Sequence, residues 1–306
     1  MKALGTAPSG VLIVDKPSGM TSHDVVATVR KVLGTRRVGH AGTLDPDVTG
    51  VLVVCVGEAT RLVEYASADE KAYEGVIAFG RSTDTDDAQG RVTAEADASG
   101  LDEARVREAA STFQGEMDQT VPLYAAVRVG GRRLYEYARS GEPVEAPTRR
   151  ITIHRLDVLW FHPGVLAEAG FRVRCSKGTY VRALCRDWGR RVGVPAHMRA
   201  LRRIASGPFR AEEAVPLEVW RKSADPASYL LPPVELLRPW PRVCVSEDEA
   251  DRLANGQMLP TPARLSPGQL AACVTQDGVL VAVVKYERGP RSGRLRPMKV
   301  FWKKER

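Results

Sequence analysis

The residues of this 306-residue chain best suited to chemistry lie in one stretch, RRVGHAGTLDPDVTGVLVV, residues 36–54. Two arginines and a histidine lead into a glycine-rich turn. The turn presents Asp45 with Pro46 behind it, and an aliphatic run follows. Asp-Pro pairs also start ordinary turns, so a purely structural Asp45 competes with a chemical one. The chemical reading is specific. A free aspartic acid titrates near ~3.9, and a neighbouring guanidinium lowers that value further. An acid in basic company is therefore ionised at neutral pH. It suits a nucleophile or a base and is a poor proton donor. The sequence offers no convincing second carboxylate beside it, so a paired-acid glycosidase scheme is weakly supported.

Other chemistries find less support. The five cysteines, Cys55, Cys175, Cys185, Cys244 and Cys273, form no CxxC pair, and the five histidines make no metal-like spacing with them. No zinc site is expected. Cys55, Cys175 and Cys185 sit in apolar patterns and read as buried thiols. The formal net charge is +8. Charge alone fits a solvated basic surface equally well, but its distribution is uneven. Four arginines between Arg128 and Arg139 interleave with Tyr135 and Tyr137. Four more lie between Arg199 and Arg210, and eight basic residues face one acid between Arg288 and Arg306. Basic clusters with nearby aromatics suit a polyanion whose bases stack, so nucleic acid is favoured over membrane. No apolar run approaches the ~18 residues of a membrane span. The N-terminal MKALGTAPSG has no apolar signal core, so a cytoplasmic protein is expected.

The elements that must position Asp45 are readable in outline. GVLIVD, 10–15, reads as a buried strand, and Lys16-Pro17-Ser18-Gly19 as a turn. Thr21 or Ser22 caps a helix with Val25, Val26, Val29, Val32 and Leu33 on one face, ended by Gly34. VLVVCV, 51–56, is a continuous β-branched run and reads as a central strand. A helix is expected from Gly57 to Ala68, a strand over 73–79 and a loop over 81–90. Residues 102–113 read as helical. Residues 115–150 are basic, tyrosine-rich and without period, as a functional excursion would be. Strands follow over 151–160 and 171–176, with Phe171, Val173 and Cys175 on one face. A helix over 179–192 buries Val181, Leu184, Cys185, Trp188 and Val192. Five prolines between 226 and 241 mark a linker. Beyond it lie short strands, a helix over Glu247–Ala254 and a hairpin turning at Gln276-Asp277-Gly278. Strands and helices do not alternate strictly, so the class is α+β with a mixed or antiparallel sheet, plus a small β-rich module.

Several motifs occur in order along nearly the whole chain: KPSGMTSHDVV (16–26), GHAGTLDPDVTGVL (39–52), KAYEGVIAFGRSTDTDDAQG (71–90), LYEYARSGEPV (134–144), CSKGTYVRALCRDWG (175–189) and LRRIASGPF (201–209). Together they closely resemble the TruB family of tRNA pseudouridine synthases. The tail, with NGQMLP at 255–260 and LRPMKVFW at 295–302, resembles a PUA RNA-binding module. The chain departs from the family at Asp47-Val48, where Leu-Ala is usual, and at Val121, Ala125 and Arg128, where proline, serine and lysine are usual.

The resemblance implies a pseudouridine synthase catalytic domain over 1–240, with 115–150 as an RNA-clamping thumb, and a PUA-like domain over 241–306. It implies isomerisation of a flipped-out uridine, conventionally U55 of the TΨC loop of tRNA, without metal, nucleotide or redox cofactor. Asp45 takes the place of the family's essential aspartate, Arg182 of the arginine that pairs with it, and Tyr73 of the tyrosine that stacks on the target base. Tyr180 and Leu201 line the pocket, and His40 enters the RNA loop to hold the base out. Arg36, Arg37 and Lys16 are weaker candidates for phosphate contacts or for packing of the loop. A monomer without an obligatory protein partner is expected. The alternatives are a catalytically idle RNA-binding or RNA-folding protein, a guide-RNA-dependent relative, and a glycosidase acting on nucleic acid.

Overall fold

The computed structural model describes residues 8–67, 70–261, 264–289 and 293–303. Ala68, at the end of the expected second helix, and Arg291, Lys304 and Arg306 of the basic tail lie outside the described residues. In chain order the strands begin with β1 (Gly10–Lys16), β2 (Val38–Ala41), β3 (Thr49–Val56), β4 (Lys71–Phe79), β5 (Arg81–Thr83), β6 (Val92–Glu95) and β7 (Gly115–Thr120). They continue with β8 (Arg128–Val129), β9 (Arg132–Arg133), β10 (Thr148–His162), β11 (Glu168–Cys175), β12 (Ala196–Ser206), β13 (Phe209–Arg210) and β14 (Val215–Pro216). The helices among them are α1 (Ser22–Leu33), α2 (Val63–Ala66), α3 (Glu103–Ser111), α4 (Leu134–Ser140), α5 (Val181–Val192) and α6 (Leu217–Arg221).

Ten strands form one sheet in the order β14-β1-β3-β12-β4-β11-β10-β7, with β2 added to β3 and β13 to β12. The β1–β14 and β3–β12 pairs are parallel and the others antiparallel, so the fold is mixed α+β. Helices α1, α3, α5 and α6 cover one face through an apolar cluster that includes Val25, Val29, Val106, Leu184, Trp188 and Trp220. The run VLVVCV is apolar throughout because β3 is buried on both faces. Leu52, Val54 and Val56 join the helix-side cluster, whereas Val51, Val53 and Cys55 join a second cluster on the far side. β11 is covered on one face only, so it alternates. Phe171, Val173 and Cys175 point into the core, while Arg172 and Arg174 pair with Glu74 and Glu70.

Local chemistry sets the boundaries of α1. Thr21 caps it reciprocally with Asp24, and Gly34 ends it in the left-handed region. Three stretches differ from the sequence expectation. The segment after Gly57 is a 3₁₀ helix over Gly57–Leu62, and only α2 is α-helical. The polar stretch 81–90 includes β5 and the turn of a β5–β6 hairpin. The proline-rich segment is a packed connection. Its 3₁₀ helices, Pro226–Tyr229 and Pro233–Leu237, carry prolines in their first turns, where no amide donor is needed, and bury Val234, Leu236 and Leu237.

The remaining elements are β15 (Arg242–Cys244), α7 (Glu247–Ala254), β16 (Leu259–Thr261), β17 (Leu270–Val274), β18 (Leu280–Arg288) and β19 (Gly293–Val300). They form a separate five-stranded sheet in the order β15-β17-β18-β19-β16. Gly278, φ 80°, lies in the turn between β17 and β18, as its sequence foretells. One side of this sheet closes the second cluster: Ala272, Val274, Leu280 and Val283 pack with Val11, Val53 and Leu62. Arg61 donates to the Val300 carbonyl at 2.7 Å and stacks over Phe301. Leu280→Ala is therefore expected to destabilise the whole chain by about 2–5 kcal/mol. Urea denaturation followed by tryptophan fluorescence checks this, and an unshifted midpoint contradicts the shared core.

Candidate active site

Asp45 lies on the loop between β2 and β3, and Arg182 reaches it from the first turn of α5. The Arg182 Nε to Asp45 Oδ2 distance is 3.1 Å. The two side chains differ in exposure, 7 % for Arg182 and 47 % for Asp45, so the pair buries its cation and presents its acid. A buried guanidinium needs a partner for each donor. Arg182 finds them in Asp87, with Nη1 to Oδ2 at 3.4 Å, and in the carbonyls of Thr85 and Tyr124 at 2.8 and 3.3 Å. One helical turn further, Arg186 pairs with Asp86 at 2.9 Å and donates to the Thr120 carbonyl. Adjacent aspartates thus hold two arginines that share a helix face. Asp86 has φ 62°, the one positive value outside glycine among the described residues. Burial raises its carboxyl above the usual range, and the Arg186 guanidinium pulls it back.

The Asp45 loop is held from below. Lys16 is fully buried, and its ammonium donates to the carbonyls of Pro17, Met20 and Pro46 at 2.9, 2.6 and 2.8 Å. It serves the packing of the loop and leaves no donor for a phosphate. Burial lowers its pKa below the usual lysine value, while Asp47 and Asp45 oppose that shift. The Ser22 hydroxyl exchanges hydrogen bonds with the backbone N–H and C=O of Leu44. Gly50, φ 102°, lets β12 come close, since a Cβ there would sit 2.2 Å from the Arg203 carbonyl oxygen.

Above the pair lies a cleft with two lobes of about 340 and 230 Å³. Asp45, Val48, Tyr124, Arg182, Met198 and Leu201 line both. Tyr73 and Tyr180 line the smaller lobe. Tyr73 is largely buried on β4, not exposed as a simple strand aromatic would be, and burial raises its phenol above the usual range. Tyr180 immediately precedes α5. Its backbone N–H and C=O are clasped by the Gln119 side-chain amide at 2.8 and 3.1 Å. The structure therefore brings Asp45, Arg182, Tyr73, Tyr180 and Leu201 to one cleft. His40 stands apart on β2, opposite Val54, and lines neither lobe. Its Nδ1 is buried without a hydrogen-bond partner among the described residues, and burial, aided by Arg203, lowers its pKa. Arg37 pairs with Glu58.

Sequence reasoning missed Asp87, Tyr124 and Gln119. Asp87 was visible as an acid in the turn-rich RSTDTDDAQG, but nothing local ties it to Arg182. Gln119 and Tyr124 come from the aperiodic excursion. That segment folds as the β8–β9 hairpin and α4 around a small core of Val121, Ala125 and Leu134. Its aromatics carry its own cations. Arg132 lies 4.3 Å over Tyr137, and Arg139 lies 5.2 Å over Tyr135.

Residues 30–181 match the TruB family pseudouridylate synthase N-terminal domain. Residues 182–235 match the tRNA pseudouridylate synthase B C-terminal domain, and residues 240–302 the tRNA pseudouridine synthase II C-terminal domain. The tRNA pseudouridine synthase B of Geobacillus thermodenitrificans is 42 % identical over 301 residues, 95 % of this chain and 99 % of that protein. The protein of the same name from Symbiobacterium thermophilum is 52 % identical over 247 residues, 81 % of this chain and 82 % of that one. Among solved structures, a chain of an H/ACA RNP bound to a substrate RNA containing 2′-deoxyuridine superposes with a TM-score of 0.76 at 26 % identity. That match covers 97 % of this chain and 86 % of the other.

The geometry predicts that Asp87→Ala, which takes a carboxylate from a buried guanidinium, costs about 3 kcal/mol of stability. Asp47→Ala, an exposed acid on the same loop as Asp45, is expected to stay within about 0.5 kcal/mol of the parent. Chemical denaturation of both variants checks this, and equal losses contradict it.

Proposed function

The chain belongs to the TruB family of pseudouridylate synthases, RNA-modifying isomerases, and we propose that it converts the uridine of the tRNA TΨC loop, conventionally U55, to pseudouridine. The observation that carries this reading is the half-exposed Asp45 held by the buried Arg182 between two lobes of one cleft. In this reaction the N-glycosidic bond breaks, the base rotates, and a carbon–carbon bond forms to the sugar. Attack at C1′, addition to the base and removal of a sugar proton all require an ionised, fixed carboxylate, and in each scheme Asp45 supplies it.

The flipped base enters the smaller lobe against Tyr73, with Tyr180 and Leu201 as walls. Stacking on an aromatic contributes about 1–3 kcal/mol, which offsets much of the few kcal/mol needed to extrude the base. His40 contacts the RNA loop from outside the cleft. The 115–150 excursion acts as a thumb. Arg128, Arg133, Arg139 and Arg149 make no ion pair among the described residues, unlike the paired Arg155, Arg172, Arg199 and Arg202 on the open sheet. The unpaired set supplies the salt-dependent attraction for phosphates. The second sheet serves as a PUA-like grip on the tRNA stem. Residues 1–240 and 241–306 are the working division, although the shared core couples them.

The protein works in the cytoplasm, as a monomer and without guide RNA. The higher identity to proteins named tRNA pseudouridine synthase B than to the H/ACA chain supports the stand-alone form. Incubation with unmodified tRNA followed by pseudouridine mapping tests the function. Binding without pseudouridine favours an RNA-folding protein, dependence on added guide RNA favours the relative, and release of free uracil favours a glycosidase. Asp45→Asn is expected to abolish isomerisation while tRNA affinity stays within about tenfold, or about 1.4 kcal/mol. Substantial residual turnover removes Asp45 from the catalytic role.

A further inference from the structure

We infer that Arg203, on β12 beneath the cleft, is a positioning residue that sets Asp45 and Tyr73 relative to each other. The inference rests on the reading of Asp45 and Tyr73 above. β12 runs between β3 and β4, and Arg203 stands in register with Gly50 on one side and Tyr73 on the other. Its Nη2 donates to the Gly42 carbonyl at 3.0 Å and its Nε to the Val51 carbonyl at 2.7 Å. These carbonyls flank the Asp45 loop, so one planar group staples both ends of it. The same register places Arg203 directly beside Tyr73 across the β12–β4 pair. Gly42, with φ 92°, lies against it, and an added Cβ would stand 3.4 Å from Nη1.

The charge of Arg203 is unusual in its surroundings. The residue is 1 % exposed, and no acid lies within ion-pair reach of it among the described residues. A buried cation without a counter-charge is costly. Loop packing alone could be served by a neutral amide or by apolar contact. What a neutral group cannot copy is a rigid fork with donors in several directions at once. That fork ties the loop carrying the acid to β12 at the residue in register with the stacking tyrosine. Neither Arg182 nor Lys16 bridges these two parts: Arg182 holds Asp45 from α5, and among the described residues Lys16 bonds only to the carbonyls of Pro17, Met20 and Pro46.

The test uses full-length protein and single-turnover pseudouridine formation on unmodified tRNA. Arg203→Lys keeps the charge and loses the fork. It is expected to lower the rate about 100-fold, the effect of a small misplacement of reacting groups, while tRNA Kd changes by less than about threefold. Tyr73→Phe removes only the hydroxyl of the residue paired with Arg203 across β12 and β4. It is expected to slow the reaction about tenfold with an unchanged melting temperature, and to make Arg203→Lys cost less in its background than in wild type. A wild-type rate in either folded variant, or fully multiplicative effects in the double variant, overturns the inference. If Arg203→Lys fails to fold, the Tyr73→Phe rate alone decides. Wild-type protein that forms no pseudouridine overturns the functional reading instead, so the two failures are distinct.

Discussion

Arg182 places a full positive charge where little water reaches it, and the segments around the cleft are arranged to meet that charge. The β2–β3 loop brings Asp45, the turn after β5 brings Asp87 and the Thr85 carbonyl, and the excursion after β7 brings the Tyr124 carbonyl. Each contact is needed because an unmatched donor on a buried guanidinium is expensive. The result is a single geometry for Asp45, reached only when distant parts of the chain are in place. The acid stays half exposed because its partner sits on the buried side, which leaves the outward side of the carboxylate open to a substrate.

Two further buried cations extend the same logic downward. Lys16 and Arg203 carry charge into the protein and spend it on carbonyls of the loop and its flanks. Carbonyls of a glycine-punctuated turn have no regular ladder to join, so side-chain donors complete their bonding. Arginines on the open sheet and in the 128–149 region differ in how they are compensated. Those on the open sheet are neutralised by neighbouring acids, as in Arg172–Glu74 and Arg202–Asp15. In the 128–149 region Arg132 pairs with Glu142, whereas Arg128, Arg133, Arg139 and Arg149 have no acid partner among the described residues, and Arg139 lies over Tyr135. Net charge alone does not reveal this separation. The ion-pair pattern does, and under the proposed function the uncompensated side is the one that meets the RNA.

Periodic and doubly buried elements were legible in the sequence. The α1 and α5 faces, the β3 run and the alternation of β11 follow from burial acting on each residue locally. Of the site, Asp45 was visible as an acid in basic company, and its pairing with Arg182 came through family resemblance. Asp87, Gln119 and Tyr124 were not legible, because their contacts are long-range and leave no period. Lys16 read equally as a phosphate contact or as packing of the loop, and its three carbonyl partners decide for the loop. The proline-rich segment misled for a related reason. Proline marks where backbone bonding stops, but it does not say whether the segment is solvated, and Leu236 and Leu237 hold this one in the core.

The account depends on Arg182 acting as an oriented fork and not merely as a positive charge. Arg182→Lys keeps the charge while giving up the geometry. Its single-turnover rate of pseudouridine formation on unmodified tRNA is the most direct measurement. The account predicts a fall of at least about 100-fold, with tRNA Kd within about tenfold of wild type. A folded Arg182→Lys protein that isomerises uridine at the wild-type rate contradicts it.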